Sequence, residues 1–443
     1  MTESYWLERA WLGHERGVVE GVLIDVEGGR FARVAADITE PPSGVDRLAG
    51  LTIPGMANCH SHAFHRALRG RTQRERGSFW TWRDQMYSLA HRLTPDSYFE
   101  LARATYREMV AGGFTAVGEF HYLHHRPDGT PYEDPNAMGQ ALVAAAREAG
   151  IRIAMLDTCY LAAGIGAPPE GVQRRFSDGT AETWAARVDG LGSLRADDVV
   201  VGAAVHSVRA VPREGIAEVA AWARRHEVPL HVHLSEQVAE NDACRAAYGI
   251  TPTELLAEAG ALGRRTTAVH ATHLSDRDVD LLGEAGAYVS FCPTTERDLG
   301  DGIGPSRRLH EAGARLTLGS DSHAVIDAFE EMRAVELDER LATQQRGHWS
   351  APELLTAATA DGHASLGFDA GRIAVGAPAD LVTLDTASPR TAGTGAGEET
   401  AVFAATAADV VQVVSSGRVV FTAGDRQGVG RDLDAAVAGV WGP

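Results

Sequence analysis

Four short stretches carry side chains of the types that hold a metal ion and move protons. In His60-Ser61-His62 the two imidazoles occupy positions i and i+2, which point the same way on an extended chain. Two neutral imidazoles on one side are a natural pair of zinc ligands. His231-Val232-His233-Leu234-Ser235-Glu236 repeats the spacing and adds a carboxylate just beyond it. Only one of its two histidines need bind a metal; His233 is the choice, with His231 oriented alike but lower on the strand. Val269-His270-Ala271-Thr272-His273 and Leu318-Gly319-Ser320-Asp321-Ser322-His323 supply a further histidine and an aspartate. Water activated by a metal needs a nearby acid/base group to carry its proton onto a leaving nitrogen. Glu236 is well placed for that work.

Strands must bring these stretches together. Short apolar runs recur at 51–57, 115–119, 151–156, 199–205, 229–234, 267–270, 287–291 and 315–319. Amphipathic segments such as 96–111, 136–149 and 213–225 lie between them. About eight strands alternating with helices over roughly 300 residues predict an α/β fold, a TIM-type (β/α)8 barrel. Catalytic groups of such barrels sit at the C-terminal ends of the strands. All four stretches fall there, after strands one, five, six and eight.

The chain ends read differently. Residues 18–25 and 30–35 look like strands separated by Gly28-Gly29. After helical stretches at 324–342 and 351–366, residues 381–384 are apolar, and 410–414 with 419–421 read as a hairpin about Ser416-Gly417. Residues 386–400 are a polar Gly/Thr-rich loop. The simplest assembly is a small β-sandwich domain from residues 1–53 plus 369–443, flanking a metal-dependent barrel over 54–368.

Composition narrows the function. Net charge is −19, and no basic stretch is interleaved with aromatics, which disfavours nucleic acid as a partner. No long apolar run or secretory leader is evident, so a soluble protein without a membrane role is expected. The 4 cysteines are scattered and form no CxxC pair, which fits a reducing cytoplasm. All 41 strong bases are arginine, which excludes Schiff-base and pyridoxal chemistry and any metal bridge through a modified lysine.

PGMANCHSH, HVHLSE, VHATH, GSDSH and GRIAVGAPADLVTLD together resemble the amidohydrolase superfamily over nearly the whole chain. The resemblance implies one divalent metal per chain, zinc above iron or manganese, held by His60, His62, His233 and Asp321. It implies Glu236 as the acid/base group, His270 as the strand-six histidine that orients water, and Asp321 as the proton acceptor. HSHAFHRALRG, SFWTWRDQMY, GGFTAVGEFHYLHH, HSVRAV and LGDGI are similar to the branch that converts N-formimino-L-glutamate to N-formyl-L-glutamate and ammonia in histidine degradation. In that branch Arg83, Tyr122 and Arg209 would grip the two carboxylates of a small anionic substrate, with His206 near the reacting group. His65 stands where the branch has glutamine; both donate hydrogen bonds, but only histidine can also carry charge. Arg83 is read in an aromatic loop, Phe79-Trp80-Thr81-Trp82-Arg83, after strand one, where Asp84 and Glu75 are alternative partners for it. Trp80 and Trp82 are read as shaping residues, and His121, His124 and His125 as loop residues without a metal role. The alternative function is deamination or dechlorination of an aromatic ring such as guanine or an adenosine derivative. A homodimer is expected from the resemblance alone.

Overall fold

The structure is a computed structural model that describes residues 3–73 and 79–442, the side chains of Phe79 and Trp80 apart. Its larger sheet has 8 parallel strands in chain order: Met56–Ser61, Phe114–His121, Arg152–Cys159, Val199–Val205, Leu230–Leu234, Thr266–His270, Tyr288–Phe291 and Arg315–Leu318. Ser61 pairs with Asp321 in parallel register, so the first strand meets the last and the sheet closes. The barrel expected from the alternation is present. Nearly all of these strand residues are buried, because helices cover the outside and side chains fill the middle. That is why a strand such as Val199–Val205 reads as an unbroken apolar run rather than an alternating one.

The covering helices follow ordinary capping chemistry. Pro95–Ala111 opens on a Thr94/Ser97 capping box with Pro95 at its first turn, and buries Leu101, Thr105 and Met109 on one face. Arg213–His226 buries Ile216, Val219, Ala220 and Ala223 at the spacing of one helix face.

A second sheet of 7 strands is built from both chain ends, in the order Arg418–Thr422, Val410–Ser415, Leu381–Leu384, Asp46–Pro54, Glu3–Trp11, Val18–Glu27, Arg30–Ala35. Every neighbouring pair is antiparallel except Glu3–Trp11 with Asp46–Pro54. Leu7, Ile24, Phe31, Leu48, Leu381 and Val414 pack together as its own core. The hairpin about Ser416-Gly417 forms as expected.

Three local expectations change. The run at 51–57 is two strands, not one. Leu51–Pro54 pairs with Leu381–Leu384 in the second sheet, while Met56 starts the barrel. Gly55 divides them because a Cβ there would meet Thr115 Oγ1 at 2.2 Å. Arg83 lies on a helix, Phe79–Arg92, rather than in a loop. The stretch 351–366 is interrupted by a π-turn at Ala357–Asp361. A C-terminal helix, Arg426–Trp441, packs on Pro95–Ala111, and Trp441 Nε1 donates to the Ala67 carbonyl at 2.8 Å. Its Gly428 and Gly430 had masked it in the sequence. No helix among the described residues is long and apolar enough to cross a membrane.

A buried ion pair ties the two sheets. Arg152, on the third barrel strand, donates to both Asp380 oxygens and to Ser416 Oγ, and the Ser416 N–H donates to Asp380 Oδ1 at 2.8 Å. Removing one partner leaves the other charged and buried. Arg152→Met is expected to destabilise the fold by about 3–5 kcal/mol, and adding Asp380→Asn should recover part of that loss. Thermal unfolding midpoints of the two variants check it; an unchanged midpoint for Arg152→Met refutes it.

Candidate active site

The closing seam of the barrel holds the predicted ligands. The Ser320 and Asp321 N–H groups both donate to the His60 carbonyl, at 3.0 and 2.9 Å. Asn58 clamps Ser320 from the side, accepting from its N–H at 2.9 Å and donating to its hydroxyl at 2.7 Å. Gly319 is required there, since a Cβ would lie 2.7 Å from His60 Cβ. Leu230–Leu234 then points His233 inward between these strands.

The result is a compact donor set. One ligand atom each from His60, His62, His233 and Asp321 lies within 4.8 Å of the others, and all four residues are buried. Asp321 Oδ1 is 3.3 Å from both His60 Nε2 and His62 Nε2, and the Nε2 atoms of His60 and His233 are 3.0 Å apart. His62 Nδ1 faces the Phe120 carbonyl and His233 Nδ1 the His206 carbonyl, each at 2.9 Å. Those carbonyls place the imidazole proton on Nδ1 and leave the Nε2 lone pairs aimed at the centre. A hydrogen bond would satisfy one such contact; a cation satisfies all four. Burial lowers His60 to about 3, against the pull of Asp321, and holds His233 well below the usual range. Burial alone would raise the Asp321 carboxyl, but its bonds to His60 and His62 hold it well below. Neutral imidazoles and an ionised carboxylate are the forms that bind a divalent ion. The donor set fits a single metal.

Around it stand carboxylates. His270 Nε2 is 3.9 Å from Asp321 Oδ2, and its Nδ1 is 3.3 Å from Glu296 Oε1. Burial by itself would lower His270; Glu236, Glu296 and Asp321 overcome it and push it up to about 10. A divalent cation beside it opposes that rise. Glu119 supports the first loop from below, accepting from Ser61 Oγ and the Ala63 N–H at 2.8 Å each.

Above the donor set opens a cavity of about 380 Å³. His62, His233, Glu236, His270 and Asp321 line it, and so do His65, Arg83, Tyr122, His206 and Arg209. His60 is buried behind them. His65 Nε2 is 3.1 Å from the Tyr122 hydroxyl, and its ring meets Trp82 edge-on. Burial, with His62 beside it, holds His65 well below the usual histidine range, so its neutral form is favoured and not the cation. The Arg83 guanidinium lies 5.5 Å from the Tyr87 ring centre. Glu75 and the Trp80 side chain lie outside the described residues. Arg209 is already engaged: Nε donates to Glu240 at 3.0 Å, and Nη2 lies 3.6 Å from Glu236. Glu240 also accepts from the Ser235 N–H at 3.1 Å.

Glu119, Glu240 and Glu296 were not singled out in the sequence. Glu240, one turn beyond Glu236 at the start of a helix, had a usable signal. Glu296 lies on the helix Pro293–Leu299 beyond the seventh barrel strand, and no spacing around it announces a role.

His121 and His124 form a second cluster with Asp157, also buried. Arg187 fills the role of cation there, bonding both Asp157 oxygens at 2.7 and 2.9 Å and reaching Asp178 at 2.9 Å. A metal would set its charge against that guanidinium. His125 pairs with Asp178 at 3.1 Å.

These strands, this seam and this donor set define a hydrolase, and the chain belongs to the amidohydrolase family, whose model matches residues 51–420. Among curated proteins, the chain is 38% identical to the formimidoylglutamate deiminase of Pseudomonas aeruginosa, over 87% of each chain. It is 30% identical to a 5-methylthioadenosine/S-adenosylhomocysteine deaminase of Natronomonas pharaonis, over 83% of this chain and 80% of that one. The crystal structure of an amidohydrolase from Brucella melitensis superposes with a TM-score of 0.90 at 32% identity, covering 99% of this chain and 100% of that one.

The two clusters make opposite predictions for metal content. Replacing His60 or Asp321 by Ala should strip the purified protein of divalent metal while far-ultraviolet circular dichroism stays unchanged. His124→Gln should keep the wild-type content. Elemental analysis decides, and loss of metal from His124→Gln would move the site.

Proposed function

We propose that this enzyme hydrolyses the formimino group of N-formimino-L-glutamate to N-formyl-L-glutamate and ammonia, the reaction class of histidine degradation. The observation that carries this reading is the convergence of Arg83, Arg209, Tyr122, His65 and His206 on the same cavity as the donor set and Glu236. A small linear dianion needs cationic and other donor groups beside the reacting centre, and arginine can hold a carboxylate by two parallel hydrogen bonds. The similarity to the Pseudomonas aeruginosa deiminase supports the same substrate.

Three histidines and one aspartate suit zinc, which when bound would make water nucleophilic near neutral pH. The protein residues do the rest. Asp321, held ionised by its histidines, accepts a proton from the attacking water. His270 is kept in line by Glu296 and stabilises charge as oxygen bonds to the formimino carbon. Glu236 delivers a proton to the nitrogen, and Asp321 passes on the one it took; the nitrogen leaves as ammonia while the new hydroxyl returns its proton to Glu236 and remains as the formyl oxygen. Arg209 has Nε committed to Glu240 and Nη2 beside Glu236, so the donors of its two Nη groups that face the cavity are the ones offered to a substrate carboxylate.

Rings favour a second reading. Trp82, Tyr87, Tyr122, Tyr160 and Phe176 also line the cavity, as a deaminase of an aromatic base would require. Ammonia release from N-formimino-L-glutamate, guanine and adenosine by the metal-loaded enzyme separates the two; release only from a ring substrate ends the first.

Glu236→Gln should lower turnover about 100-fold or more with metal content unchanged. Arg209→Met should weaken substrate binding by about 2–5 kcal/mol, seen as a raised KM. Wild-type turnover in the first or an unchanged KM in the second removes that residue from the mechanism.

A further inference from the structure

The aromatic side of the cavity has a polarity that its composition hides. Tyr87, on helix Phe79–Arg92, and Tyr160, just past the third barrel strand, both line the cavity. Between them stands Gln173, buried in the short 3-10 helix Gly171–Phe176. Its Nε2 lies 3.0 Å from each tyrosine hydroxyl. The amide orientation is set by a separate contact, because Gln173 Oε1 accepts from the Glu170 N–H at 3.1 Å. A flipped amide would set N–H against N–H there.

The amide group has two protons, and each phenol oxygen takes one. An oxygen that accepts from Gln173 keeps its own proton for another acceptor. Among the described residues neither hydroxyl has any hydrogen-bond partner besides Gln173. Burial raises the Tyr160 phenol above its usual range, so it stays protonated, and Arg209 and Arg83 are the cations that act on it.

We propose that Gln173 is a positioning residue that turns Tyr87 and Tyr160 into paired hydrogen-bond donors, which form with Arg83 and Arg209 a subsite for a substrate carboxylate. A wall made only of donors matches a group that carries only lone pairs. It also accounts for two of the rings: Tyr87 and Tyr160 bring hydroxyls to the cavity as well as faces. This rests on the deiminase reading for the identity of the substrate, but not for its charge.

Gln173→Glu is the sharpest test, because it keeps the shape and reverses the polarity. A carboxylate would accept from both phenols and turn their protons away from the cavity. KM for N-formimino-L-glutamate should rise about 30-fold, with kcat changed far less and with metal content and thermal midpoint near wild type. In a Tyr87→Phe/Tyr160→Phe background the same change should add nothing to KM. A KM within about twofold of wild type overturns the proposal, and so does an equal rise in the background without phenols. If Gln173→Glu does not fold, the single Tyr87→Phe and Tyr160→Phe variants carry the test, and unchanged KM values in both overturn it. If the wild-type enzyme releases no ammonia from N-formimino-L-glutamate, the deiminase reading fails. Calorimetric binding of glutarate to wild type and Gln173→Glu then tests the subsite by itself: weaker binding by the variant supports it, and equal binding overturns it.

Discussion

The active site depends on how the barrel closes. Two backbone N–H groups at the end of the last strand converge on one carbonyl, that of His60. That pairing sets the depth at which Asp321 meets His60 and His62. It works only because residue 319 has no side chain and Asn58 grips Ser320 from beside it. A hydrogen-bond register that completes a sheet is here also the register of a donor set. Donor residues far apart in the chain are thereby brought together by backbone pairing.

Burial and the neighbouring charges then decide the charge on each group. Burial keeps His60 and His233 neutral, so they offer lone pairs, while the bonds of Asp321 to His60 and His62 keep its carboxylate ionised. The same sealing makes every buried carboxylate around the site need a partner, and each has one. Glu119 has Ser61 and the Ala63 backbone, Glu296 has His270 and the Cys292 backbone, and Glu240 has Arg209 and the Ser235 backbone. These pairs hold the first loop, His270 and Arg209 in place.

The barrel, its strand order and the grouping of the four candidate metal donors were legible because their signals are local. Parallel strands buried on both faces are continuous apolar runs, and 199–205 is read to the residue. HxH and HxHxxE are spacings within a few residues. The split at Gly55 was not legible, since it arises from contact with Thr115 and Asp380, which no nearby pattern announces. The helix carrying Arg83 was hidden because its tryptophans and arginine read as a binding loop. Gln173 was invisible for a related reason: its meaning lies wholly in what its amide touches. The sequence also left the charge of His65 open; its burial, with His62 beside it, favours the neutral form.

The backbone at the mouth of the barrel has a further property. His270 and Asp321 adopt left-handed conformations, with φ of 68° and 40°, and Ser235 does so at 51°. Residues with a Cβ are held there at a cost of order 1–3 kcal/mol each, which glycine would avoid. The chain therefore keeps chemically useful side chains where conformational ease would choose none. Selection for heat resistance alone would push these corners toward glycine and erase the enzyme while improving the protein. Its persistence as a catalyst and its persistence as a folded object are opposed at the same few residues.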